Sequence, residues 1–358
     1  MDAIRHHTFG PPEVLILEQI PDPVPGPGEV LVDAVAHGVH LLDTSLRRGE
    51  AGPPLPLPTL PTVPGREIGG TVSAVGPGVD VSWIGRPVAA HLGAVPDGGG
   101  YARRVVVGAD KLHALPDGPD GAPLDPADGI AMIGTGRMAV YTLDIAAMTA
   151  ADVVVVTGAT GGLGTLFVQE ALHAGARVVA LAGGDAKLKV LQDLVSGTAG
   201  AQSGEVPGEV PGAGRLALVD YSAPGWTDAA RAALGPSPAT LVFDGVGGDL
   251  GTAATGLLRD GAPGAGGRLV AYGWASGAPN RYTSWAGAEQ IESPVEVRYA
   301  VGPDAPPMGD QRPYQERALA HAASGRWRVA THRVPFAEAA RAHRELEERR
   351  TTGKVVLV

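Results

Sequence analysis

The chain has 358 residues, 44% of them hydrophobic, so it can bury a large core, and its length points to two domains. A formal charge of −10 without any basic run argues against a nucleic-acid partner, and no apolar run has the length of a membrane span or a signal peptide, so a cytoplasmic location is expected. The absence of cysteine excludes disulfides, thiolate zinc ligands and thiol nucleophiles together.

In chain order, residues 14–20, 29–36, 68–75, 88–91 and 101–107 are short alternating or apolar runs broken by Gly and Pro, the pattern of a small β-rich domain. Residues 53–64 form a proline-dense loop. From about Pro123 the pattern changes to longer helical stretches and parallel-type strands. Four valines at 153–156 run into Thr157-Gly158-Ala159-Thr160-Gly161-Gly162-Leu163-Gly164, and a helix is predicted over 165–174. A strand, a glycine turn and a helix start in that order suit a dinucleotide: glycines let the backbone approach the pyrophosphate, and the helix presents free N–H groups and the positive end of its dipole. Further strands are predicted at 177–181, 241–244 and 268–273, alternating with helices at 187–194 and 250–258, which indicates a doubly wound parallel sheet. Residues 196–215 hold two Glu-Val-Pro-Gly units and read as a flexible surface loop. The end of the chain reads as a charged amphipathic helix over 337–349 and a strand over 354–358.

Ordered motifs run nearly end to end: Gly38-Val39-His40-Leu41-Leu42-Asp43, Pro64-Gly65-Arg66-Glu67-Ile68-Gly69-Gly70, the glycine loop, Val242-Phe243-Asp244-Gly245-Val246-Gly247-Gly248, and the segment from Ala342-His343 to Gly353. On these residues the chain resembles the medium-chain dehydrogenases/reductases, and among them the zinc-independent quinone oxidoreductases and ζ-crystallin-like reductases. The resemblance implies an α/β fold: a Rossmann doubly wound sheet over 123–301, and a β-rich GroES-like catalytic domain built from both chain ends, 1–122 and 302–358. The active site is expected in the cleft between them.

Catalytic zinc needs three ligands of Cys, His or carboxylate type. Where zinc relatives place theirs, this chain offers His40, Arg66 and Thr135, and arginine stays protonated; Glu67 and Asp43 are the carboxylates able to join His40, but no metal site is expected. An NAD-specific fold usually ends its second strand in Asp or Glu, about 20 residues past the glycine turn. Here that count reaches Ala182-Gly183-Gly184, and the nearest acid, Asp185, is read as the N-cap of the next helix. By resemblance to NADPH-binding relatives, Lys187, Tyr221 and Arg349 fall where side chains hold a 2′-phosphate. Other NADPH contacts are expected at Thr160, Gly161, Gly162, Leu163, Gly164, Gly183, Val246, Gly273 and Met138, the last standing where relatives often have a nicotinamide-contacting Thr.

The family's Gly-Val-Asn-x-x-Asp segment places an Asn beside the nicotinamide. This chain has His40 there and keeps Asp43, and the pair are the candidate catalytic residues, with His40 able to protonate a carbonyl oxygen or an enolate. An orienting role for His40 stands beside that one. His37 is read as structural and Tyr101 as packing the β-rich domain. The expected activity is NADPH-dependent hydride transfer to a conjugated enone or quinone. The alternatives are an enoyl- or polyketide-type reductase of a biosynthetic pathway, and an NADPH-binding protein with little turnover. A homodimer is expected from the resemblance and from the apolar segment 295–301, which could pair edge to edge with its symmetry mate.

Overall fold

The computed structural model describes residues 1–50, 56–93, 99–196, 215–261, 264–285, 291 and 295–358. It divides into two compact units, Met1–Arg137 with Arg312–Val358, and Met138–Gln311. Among the described residues no helix is long and apolar enough to cross a membrane.

The first unit opens with β1 (Asp2–Arg5) and β2 (Ile16–Gln19), an antiparallel pair. It continues through β3 (Glu29–Gly38), α1 (Leu41–Arg48), β4 (Glu67–Val75), β5 (Pro87–His91), β6 (Arg104–Gly108), β7 (Leu112–Ala114) and α2 (Pro126–Ala131). A π-turn, Met132–Gly136, joins α2 to α3 (Arg137–Ala146), where the chain enters the second unit. That unit carries β8 (Val153–Val156), α4 (Gly162–Ala174), β9 (Arg177–Ala182), α5 (Asp185–Val195), β10 (Leu216–Asp220), α6 (Trp226–Leu234), β11 (Leu241–Asp244), α7 (Gly248–Thr255), β12 (Arg268–Ala271) and β13 (Glu296–Tyr299). The chain then returns to the first unit for α8 (Arg312–Ala323), β14 (Thr331–Val334), α9 (Ala339–Glu347) and β15 (Lys354–Leu357).

In the first unit the sheet order is β14-β15-β3-β4-β5-β7, with β6 also on β3. Along β3, Val30, Val32, Ala34 and Ala36 are buried while Asp33 and Val35 face outward, the period-2 alternation of a strand with one covered face. The β3–β4 ladder shifts register twice, between Leu31 and Val32 and between Ala34 and Ala36. At Gly70 a Cβ would lie 2.1 Å from the Asp33 carbonyl oxygen, so only glycine lets the two strands approach there.

Among the described residues of the second unit six strands are parallel, in the order β10-β9-β8-β11-β12-β13. β8 lies inside the sheet and all four of its valines are buried, which is why it reads as a continuous apolar run rather than an alternation. Strand order reverses between β8 and β11, and in such sheets ligands bind beyond the carboxyl ends of the strands at that crevice. Phe167 of α4 stacks on Phe243 of β11, their ring centroids 4.5 Å apart, and so pins the helix to the sheet.

Several local expectations need correction. α4 starts at Gly162, three residues before the predicted start at 165, because packing of the turn overrides the weak helix propensity of Gly162 and Gly164. Asp185 is the first helical residue of α5 rather than its cap; Gly184 takes the cap position at φ 87, a conformation that glycine adopts without strain. β10 is an added strand that the patterning does not single out. The loop expected at 196–215 lies, over 197–214, outside the described residues. The helix predicted from 337 to 349 starts as a 3₁₀ turn, Phe336–Glu338, and ends at Glu347, leaving Arg349 beyond it in the left-handed region at φ 57.

Candidate active site

The second unit builds a nucleotide cradle from backbone. Beyond β8, Gly158 takes φ 58, and a Cβ on Gly164 would lie 2.3 Å from the Gly158 carbonyl oxygen, so the first turn of α4 packs directly on the loop. The ladder of α4 begins with the Thr165 N–H on the Gly161 carbonyl (3.0 Å), so the N–H groups of Gly162, Leu163 and Gly164 precede it at the positive end of the helix dipole. Thr160 is buried in the same turn. Beyond β11, the buried Asp244 carboxylate accepts hydrogen bonds from the Thr157 hydroxyl (2.7 Å), the Val246 and Gly247 N–H groups (3.0 and 3.2 Å) and the Asn280 amide (2.8 Å). These bonds curl the loop so that Val246 lies beside Gly158, while Gly273, just past β12, faces the Gly245 carbonyl. The structure therefore brings residues 160–164, Val246 and Gly273 to one end of the parallel sheet.

At the end of β9 no carboxylate stands; the strand closes on Ala182. The ring of Tyr221 lies 3.2 Å from where a Gly183 Cβ would project, so that glycine makes room for the tyrosine face. Asp220 uses its carboxylate on the Gly184 and Ser222 N–H groups, both at 2.8 Å, which fixes the loop rather than presenting an acid. Lys187 is half-buried in the first turn of α5, so Gly183, Lys187 and Tyr221 share the end of this strand. Met138 lies, half-buried, in the first turn of α3. Arg349 is carried by the first unit.

The first unit holds a cluster of buried charge around His40. His40 is the N-cap of α1, and its backbone N–H donates to the Asp43 carboxylate at 2.9 Å, which orients the turn. Its Nε2 lies 2.9 Å from Glu67 Oε1 and 2.8 Å from Lys354 Nζ. Lys354 Nζ also reaches Glu67 Oε2 at 3.0 Å and donates to the Val39 carbonyl at 3.1 Å. The Glu67 side chain is 0% exposed and that of Lys354 5%, against 28% for His40, so the imidazole is the open end of the cluster. The contacts to Glu67 are close ion pairs rather than well-directed hydrogen bonds.

Burial alone would push the Glu67 carboxyl up, but His40 and the Lys354 ammonium hold it well below the usual carboxylate range. Burial takes His91 down to about 4 despite the pull of Glu67, and lowers the Arg137 guanidinium. Space for the carboxylate comes from two glycines: a Cβ on Gly134 would lie 1.6 Å from Glu67 Oε1, and one on Gly38 2.1 Å from Glu67 Oε2. Gly134 sits in the π-turn, where the widened helix wraps the acid. Asp43 is buried with its carboxylate 3.5 Å from Arg66. His37 Nδ1 donates to the Gly100 carbonyl (2.7 Å) and Tyr101 bonds His343 (3.1 Å), all buried in the first unit.

Sequence reasoning passed over Lys354, Arg137 and His91. The signal available for Lys354 was scarcity: it is one of four lysines, and it opens an otherwise apolar terminal strand.

Zinc does not fit this cluster. Among the described residues no group of three or more His, Cys, Asp or Glu side chains could hold a metal ion, and a lysine ammonium already stands between the His40 and Glu67 donors. A dinucleotide does fit the second unit, since the glycine positions that a Cβ would block, at Gly164 and Gly183, are the ones a close backbone approach requires.

Two family patterns match the chain: the alcohol dehydrogenase GroES-like domain over residues 26–117, and a domain described as zinc-binding dehydrogenase over residues 212–357. A 2-haloacrylate reductase from Burkholderia sp is 27% identical, the alignment covering 98% of this chain and 97% of that one. A quinone oxidoreductase from Pseudomonas aeruginosa is 28% identical over 99% and 98% of the two chains. Among solved structures, a mycobacterial protein complexed with NADPH superposes over 100% of both chains with a TM-score of 0.75 at 29% identity. The Escherichia coli quinone oxidoreductase complexed with NADPH gives 0.75 at 23% identity, also over 100% of both chains, which speaks for the fold. With the cradle, the sheet order and these relatives together, the chain belongs to the zinc-independent, quinone oxidoreductase-like branch of the medium-chain dehydrogenase/reductase family.

Proposed function

We propose that this protein is an NADPH-dependent reductase that delivers hydride to a conjugated enone or quinone. The observation that carries the cofactor half is the end of β9, where Tyr221 packs over Gly183 beside Lys187 and no carboxylate stands to bind ribose hydroxyls. Lys187 and Tyr221, with Arg349 of the first unit, are the proposed holders of the 2′-phosphate. The turn at 160–164, Gly183, Val246, Gly273 and Met138 are the proposed contacts to the rest of the nucleotide. NADPH, when bound, supplies the hydride.

The acceptor half rests on chemistry shared by the relatives' substrates as their names state them. A quinone and a 2-haloacrylate are both conjugated to a carbonyl or carboxylate, so hydride at carbon leaves negative charge on oxygen. His40 is proposed to meet that charge with a proton, because it is the partly exposed member of its cluster. Asp43 acts as a positioning residue, holding the His40 backbone. A homodimer that pairs the β13 edges belongs to the same proposal.

Steady-state oxidation of NADPH and NADH against a panel of quinones, enones and enoyl thioesters tests it. Turnover with quinones or enones, with NADPH strongly preferred, is the expected result. Turnover confined to enoyl thioesters would replace the acceptor class, and tight NADPH binding without turnover on any member would remove the catalytic claim.

A further inference from the structure

The cluster around His40 holds one more piece of chemistry than an isolated proton donor needs. Nε2 of its ring has two neighbours of opposite charge at nearly equal distance, the Lys354 ammonium at 2.8 Å and the Glu67 carboxylate at 2.9 Å. Both are shielded from water while the imidazole is not, so their fields act on the ring at low local dielectric. A carboxylate beside an imidazole favours the imidazolium, and an ammonium at the same distance opposes it. The other charged and titratable groups packed on the cluster are His91 from β5, Arg66 just before β4, Arg137 at the start of α3 and Asp43 on α1. His91 is coupled to the ring through its charge, and the Asp43 carboxylate accepts from the His40 backbone N–H.

We propose that Lys354 and Glu67 are opposed positioning residues that together set the proton affinity of His40, and hence the pH at which the enzyme can protonate its product. Neither touches substrate; each acts through the imidazole. The arrangement also lets the proton pass without forming an unpaired ring nitrogen. When Nε2 carries hydrogen the Glu67 carboxylate 2.9 Å away offsets the charge, and when it does not it accepts from Lys354, which keeps its bond to the Val39 carbonyl in both cases. The two glycines at 38 and 134 leave the carboxylate the space it takes at this position, where any Cβ would collide with its oxygens.

The proposal rests on the reading of His40 as the proton donor, so its test has one arm that does not depend on turnover. The His40 resonance, assigned by its loss in His40→Asn, is titrated by NMR in cofactor-free protein carrying labelled histidine, for wild type, Lys354→Met, Glu67→Gln and the double variant. Circular dichroism confirms that each is folded. The midpoint should rise in Lys354→Met, fall in Glu67→Gln, each by about one pH unit or more, and return toward wild type in the double variant, which keeps the test alive should one single variant fail to fold. The limb of the kcat/KM profile should move with it. Midpoints that move in opposite directions while the limb stays fixed would support the charge balance and dismiss His40 as donor. Midpoints unmoved in the variants, or moved in the same direction by both single changes, would overturn the proposal.

Discussion

At the scale of single residues, the two proposed chemistries fall on side chains whose surroundings differ in kind. Lys187 stands in the first turn of α5, next to a loop that the Asp220 carboxylate holds through the Gly184 N–H, so its removal should leave the cradle intact. Lys187→Ala should weaken NADPH by about 1.5–3 kcal/mol, roughly 10- to 150-fold, and leave NADH almost unchanged. Calorimetric titration of both nucleotides checks this, and equal losses for the two would transfer Lys187 from the phosphate to the scaffold. His40 sits on buried charge instead. His40→Asn should lower turnover by roughly 10²-fold with NADPH affinity nearly unchanged and one limb of the pH–rate profile lost. A variant with wild-type turnover and pH dependence would leave His40 an orienting role only.

At the scale of elements, the glycine turn and α4 are one device, because the helix start is packed on the turn's own carbonyl. Gly164→Ala places a methyl 2.3 Å from the Gly158 oxygen and must push the helix start off the loop. The expected outcome is a loss of about 1–3 kcal/mol of stability from overpacking together with weaker binding of NADPH and NADH alike. Urea denaturation and nucleotide titration read the two effects, and a variant normal in both would mean that the turn is not the pyrophosphate cradle. This contrasts with Lys187→Ala, which should separate the two nucleotides.

The element scale also shows where local patterning is a good guide. The valine run of β8, the alternation along β3 and the glycine turn were legible because each is a property of neighbouring residues. Helix starts were less so. α4 begins inside the glycines, and α5 is capped by Gly184 at φ 87 with Asp185 already helical, since both ends are decided by what the loop packs against rather than by propensity.

At the scale of the whole molecule, pH should act on stability through buried neutral histidines. His37 and His343 are fully buried, and burial takes each down to about 3. The unfolded chain binds these protons near the ordinary histidine value while the folded chain refuses them until about 3, so their contribution is complete above about pH 6.5 and is lost as pH falls toward 3. Between those limits the two should lower stability by about 2.7 kcal/mol per pH unit once both are protonated in the unfolded chain. Depressed Glu67 adds to the loss in the same direction at lower pH, as the unfolded carboxyl takes up its proton. His91, held down to about 4, adds a third proton over most of this range, so unfolding midpoints measured from pH 7.5 to 4.5 should give an uptake of roughly three protons at pH 5, and an uptake near zero would contradict the buried neutral state. β13 ends the sheet order of the second unit, paired with β12 on one side, and an edge of this kind can be covered by a symmetry mate. Light scattering at micromolar concentration should return a dimer mass, and a monomer mass would count against the β13 edge.

The sequence by itself determined the parallel sheet with its glycine cradle and the want of an acid at the end of β9, because strand periodicity and turn glycines are written over a few adjacent residues, and its ordered motifs carried the resemblance to the family. Only the tertiary structure decided what surrounds His40. Lys354 and His40 are 314 residues apart, and they meet because β15 pairs with β3 at Val356 and Gly38 while β3 pairs with β4 at His37 and Ile68. Glu67 is thereby set beside Gly38 and Lys354 beside Val39. A one-residue slip in either ladder would turn those side chains to the other face of the sheet, and register is a property of the packed strands that no local run of residues carries.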